Sequence, residues 1–173
     1  MNLRTEPLWI ALIIVPATAL YVAAAGAGLP AAGGLAGHLV GVVGLLVMLF
    51  AWLGYSWRKR ETRSGPGTMQ QWLQAHVVAG IVGPYLVLLH SAFEFRGLAG
   101  ILSLMVLIVV LSGLAGRYLF TSLPRSEANG MGIDRLRRRS ALWWLLHVPL
   151  AAAMIALTFA HVLGALYYST LLR

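Results

Sequence analysis

Four of the five histidines in this chain fall into two pairs with one spacing: His76 with His90, and His147 with His161, fourteen residues apart in each case. Neutral imidazole can ligate a metal, relay a proton or make a hydrogen bond. Which of these it does depends on what lies beside it. The chain has no cysteine, which excludes disulfides, cysteine-ligated iron–sulfur clusters and the C-x-x-C-H attachment of covalent haem. Metal chemistry must therefore rest on histidine or oxygen ligands.

The elements that carry these histidines are apolar. Of 173 residues, 60% are hydrophobic and 10% charged, whereas charged residues make up roughly a quarter of a soluble domain. The composition describes an all-α integral membrane bundle, a single transmembrane domain over 1–173 with spans at about 8–29, 35–57, 69–93, 98–120 and 141–169. These spans leave no room for a soluble catalytic domain. Arg4 before the first run and Ala23–Ala24–Ala25 near its end fit a cleaved signal peptide; the run is span-length rather than a short h-region, so a retained helix is expected. Gly26 to Gly37 reads as a turn, Gly65–Pro66–Gly67 as a loop, and 123–140 as the longest polar segment. Trp52, Tyr55 and Trp57 before Arg58–Lys59–Arg60, Trp72 in the third run, Trp143 and Trp144 at the entry to the fifth, and Tyr167–Tyr168 at its end read as interfacial aromatics.

Basic residues orient such a bundle. With the N-terminus cytoplasmic, that side receives Arg4, Arg58, Lys59, Arg60, Arg63, Arg117, Arg125, Arg135 and Arg137–Arg138–Arg139, eleven in all, and the other side only Arg96 and Arg173. The net charge of +8 is accounted for by these loops, which are also suited to touch anionic lipid; no nucleic-acid motif accompanies it. Spans three and five then run in the same direction. A helix advances about 1.5 Å and 100° per residue, so fourteen steps cover about 21 Å and return to within about 40° of the starting direction. His76 and His147 are expected at one depth, toward the cytoplasm, and His90 and His161 at a second.

An ionisable residue inside a span is a functional candidate by default. A hydrogen bond to a neighbouring helix explains one such histidine, but not the repeated interval and the matched depths. A lone zinc or copper site wants about four close ligands, and each level has two histidines with no acid or cysteine beside them. Two facing imidazoles suit haem, whose macrocycle supplies four nitrogens and leaves two axial positions; two levels imply two haems, between helices three and five. Gly80 and Gly83, four and seven residues after His76, would let a flat ring lie against the backbone, or else serve close helix packing. Ala151 is the small residue at the corresponding place after His147.

The two H-x13-H segments resemble those of the bis-histidyl di-haem cytochromes b, and their placement on spans three and five is similar to the ferric-reductase-like transmembrane domain, also found in NADPH oxidases. The resemblance covers roughly 71–172. It implies that His76 and His147 ligate a cytoplasmic-side haem b and His90 and His161 an outer-side haem b. Ferric reductases commonly have a sixth span and a flavin/nicotinamide dehydrogenase domain, neither of which these residues show. Without its first span the chain is a four-helix unit with histidines on its second and fourth helices, the cytochrome b arrangement, and both relatives stay open.

Further residues follow from this expectation. Arg117 is placed to serve a haem propionate or to anchor span four at the interface, and Arg96 could do the same for the outer haem. His38, with Glu94 as neighbour, could bind a quinone or relay a proton, or make an interfacial hydrogen bond. Gln70, Gln71 and Gln74 read as a solvated helix start, and Met48, Met105 and Met154 as packing. The chain is expected to be a di-haem electron-transfer subunit of a quinol-linked or ferric-reductase-like oxidoreductase complex in a bacterial inner membrane, in contact with lipid and with other redox subunits. The alternative is a non-redox structural or assembly subunit. A transporter is the weakest class, since the spans show neither buried carboxylates nor paired broken helices.

Overall fold

A computed structural model describes residues 5–27, 34–61, 66–122 and 130–171, without the side chains of 118–122, 130–137 and 169–171. The chain is all-α, with α1 Thr5–Gly26, α2 Leu35–Arg60, α3 Met69–His90, α4 Gly97–Ser122 and α5 Gly130–Leu171. Each helix contains a stretch long and apolar enough to cross a membrane. Large apolar side chains such as Leu20, Leu35 and Leu163 stand mostly exposed, as lipid contact requires. Arg4, Arg63, Arg125 and Arg173, and the side chains of Arg135 and Arg137, lie outside the described residues.

Two boundaries depart from the hydropathy pattern. The third helix ends at His90 rather than 93. Phe93 N–H bonds Leu88 O at 3.2 Å and Ala92 N–H bonds Leu89 O at 3.1 Å, with Ala92 and Phe93 at φ of 51° and 59°. This is a Schellman closure built on alanine where glycine would carry no steric cost. The fifth helix begins at Gly130 rather than near 141. Hydropathy marks where a helix can enter lipid, not where it starts, and arginine, four of the residues over 130–140, is a good helix former.

The chain divides into two compact units, Met1–Glu94 and Phe95–Arg173. In the first, α3 starts from a capping box between Thr68 and Gln71, which gives the expected helix start its hydrogen bonds. It runs antiparallel to α2 in a fixed register centred on two glycines. A Cβ on Gly83 would lie 2.7 Å from Met48 Cγ and 3.0 Å from Gly44 O, and one on Gly44 would lie 3.0 Å from Gly83 O. Seven residues to either side, His90 meets Gly37 and His76 meets Ala51. The α2 face thus reads G-x6-G-x6-A against H-x6-G-x6-H on α3, a small-residue seam of the kind that brings membrane helices close. The parallel helix α1 joins α3 where Tyr85 OH hydrogen-bonds Thr18 Oγ1 at 2.5 Å, the Thr18 hydroxyl in turn donating to Ile14 O. In the second unit, α4 and α5 pack antiparallel, burying Leu102 and Val106 of α4 and Met154 and Ile155 of α5.

Candidate functional site

His76 sits half-buried one turn into the seam, its Nδ1 2.7 Å from Ala51 O and its ring 4.9 Å from that of Tyr55. His90, the last residue of α3, places Nδ1 2.9 Å from Gly37 O. Gly41 is glycine because the His90 ring lies over it: a Cβ there would be 2.8 Å from His90 Cγ. A carbonyl can only accept, so in both residues Nδ1 carries the proton. The neutral ring then keeps its lone pair on Nε2.

In the second unit His147 reaches the same state by a different route. Its Nδ1 lies 2.7 Å from Ser112 Oγ, and that hydroxyl donates its one proton to Val109 O at 2.8 Å. With the hydroxyl proton on Val109 O, the Ser112 oxygen accepts from His147 Nδ1–H. Trp143 stacks on the His147 ring at 5.0 Å and 16°, and donates its indole N–H to Ser112 O at 2.7 Å. Gly116 leaves the room that Trp143 fills, since a Cβ would collide with the indole. His161 is half-buried and has no side-chain hydrogen bond among the described residues.

No protein-family model, curated protein or solved structure matches the chain.

The two glycines singled out after His76 have different surroundings. Gly83 is taken up by the contact with α2, whereas a Cβ on Gly80 would meet nothing within 4 Å. Pro84, four residues on, has no amide hydrogen to give the Gly80 carbonyl. Among the described residues, no three of His, Cys, Asp and Glu converge. His38 is exposed; its Nδ1 bonds Gly34 O at 2.9 Å on its own helix, and its ring meets His90 edge-on at 5.7 Å. Glu94 is exposed in the turn after α3, with no hydrogen bond or ion pair to His38 among the described residues. Arg96 is exposed at the start of the second unit, and Arg117 is half-buried toward the C-terminal end of α4.

Several residues of this arrangement stand apart from the sequence expectations. Gly37 falls within α2, as the second span at 35–57 has it, and is buried where the 26–37 segment reads as a turn. Trp143 is a packed partner of His147, in contrast to Trp144, which is half exposed. A buried carboxylate does exist: Glu6, 7% exposed, is in the first turn of α1 and lines a cavity of about 270 Å³ with Gln74 of α3. Ser112 carries no sequence signal of its own. The Gly37, Gly44, Ala51 heptad is the one pattern that could have revealed the seam.

Proposed function

We propose that the chain is a membrane electron carrier with two b-type haems, one ligated by His76 and His147 and the other by His90 and His161. The observation that carries this reading is the shared engagement of Nδ1: His76 and His90 give its proton to carbonyls of α2, and His147 sets it 2.7 Å from Ser112 Oγ, each within its own unit. Metal-ligating histidines are held in this way, the second nitrogen fixed so that the first presents its lone pair. The donor set of imidazoles held at Nδ1 fits haem iron, and the space at Gly80 fits a flat ring beside the backbone. Bound haem would supply a one-electron ferrous/ferric couple.

Ala51 and Gly37 hold the α3 rings through their carbonyls, Ser112 and Trp143 hold His147, and Arg117 and Arg96 are the cations available to propionates. The arginine count supports a cytoplasmic N-terminus, with the His76 and His147 level on that side. On this reading the chain works beside other redox subunits in a bacterial inner membrane, exchanging electrons with a quinol or a partner protein, and His38 and Glu94 are the residues to examine for quinone. A reduced-minus-oxidised spectrum tests the proposal: a b-type α-band and two haems per chain are expected, and purified protein without that band refutes it. The same histidine–carbonyl bonds tie α2 to α3, which favours a second reading, a structural subunit whose histidines serve as helix clamps. Stability and partner binding that do not respond to haem depletion would select it.

A further inference from the structure

The four histidines are unequally supported. His76 and His147 each give the Nδ1 proton to an acceptor at 2.7 Å, and His90 does so at 2.9 Å. His161 has no such bond among the described residues. The α4–α5 register sets Ser112 against His147 and Gly116 against Trp143.

Hydrogen bonding at one ring nitrogen raises the basicity of the other as a ligand. A more basic axial ligand favours ferric over ferrous iron and lowers the reduction potential, second-layer hydrogen bonding being one of the protein's levers on a haem. We infer that this support is graded between the two levels, so that the haem held by His76 and His147 has the lower potential and Ser112 is the positioning residue that sets it from the α5 side. The inference rests on the di-haem reading above. Ser112 acts through His147: its Oγ accepts the imidazole proton, its own proton goes to Val109 O, and its carbonyl holds the indole stacked on the same ring. Cations such as Arg117 act in the opposite sense, so the test changes the hydrogen bond alone.

The experiment has two arms on the full chain. In the haem-depleted protein with ¹⁵N-labelled histidine, the His147 resonances should report an Nδ1–H tautomer that S112A abolishes and S112T, which keeps the hydroxyl, restores. In the haem-loaded protein, redox titration should show two steps. S112A should move the lower step upward and leave the upper one in place, with S112T close to the parent. His147→Ala, which removes one haem, should leave the upper potential behind, and this arm decides the matter even where S112A does not retain both haems. A remaining potential equal to the lower step, or an S112A shift in the upper step or in neither, overturns the inference while the di-haem reading stands. A chain that binds no haem overturns both, whatever the tautomer of His147.

Discussion

Gly80 and Gly83 lie three residues apart on α3, and alanine at each should have opposite consequences. At Gly83 the added Cβ lies 2.7 Å from Met48 Cγ and 3.0 Å from Gly44 O. Such contacts relax at about 3.5–4.0 Å, so Met48 must rotate and α2 must retreat by roughly 0.5 Å. That retreat carries the His90 to Gly37 hydrogen bond, 2.9 Å long, past the upper limit of about 3.2 Å. Overpacking costs about 1–3 kcal/mol, and the one interhelical hydrogen bond lost in the membrane adds about 0.6 kcal/mol, giving a total loss of about 1.5–3.5 kcal/mol for Gly83→Ala. Gly80→Ala meets no neighbour and gains about 0.5–1 kcal/mol of helix propensity. Unfolding of the haem-depleted protein in detergent, with haem content measured in parallel, separates the two. Gly83→Ala should unfold first. Gly80→Ala should equal or exceed the parent in stability and lose haem. A Gly83→Ala chain as stable as the parent would refute the seam as the register pin, and a Gly80→Ala chain with full haem content would remove Gly80 from the haem site.

Other outcomes follow from the same geometry. His76→Ala and His147→Ala should each bring the haem stoichiometry from two to one by pyridine haemochrome assay; loss of neither haem would contradict their assignment as ligands. Gly41→Val places a branched side chain where even a Cβ sits 2.8 Å from the His90 ring, so the haem at His90 should be lost while the one at His76 is spared, visible as the disappearance of a single redox step. Ala92→Gly removes a left-handed penalty of about 1–2 kcal/mol at φ 51° and should raise the thermal midpoint; an unchanged or lower midpoint contradicts the strain at this position.

The five helices are legible in the sequence because lipid demands long apolar runs, and the histidine pairs are legible because a fixed interval on a helix fixes a face. What holds the histidines is not. Gly37 and Ala51 act through backbone carbonyls, which every residue has, so no residue type announces them. Ser112 is a small polar residue of a kind common in membrane helices, and its role depends on the α4–α5 register. The packing of Trp143 on His147 is hidden as well, because it depends on the missing side chain at Gly116, one helix away. The start of α5 escapes hydropathy because arginine prolongs a helix that has already left the apolar stretch.

The seam between α2 and α3 also works as a ruler. Gly37 and Ala51 are separated by the same fourteen residues as His90 and His76, so the acceptors and the donors are cut to one length on two antiparallel rods. A single-residue insertion or deletion between Gly37 and Ala51 would turn one acceptor by about 100° while leaving the other in place. Chain length in this part of α2 is therefore as constrained as the histidine interval itself. G-x6-G-x6-A followed by H-x6-G-x6-H becomes a written signature by which other chains of this design can be recognised before their structures are known.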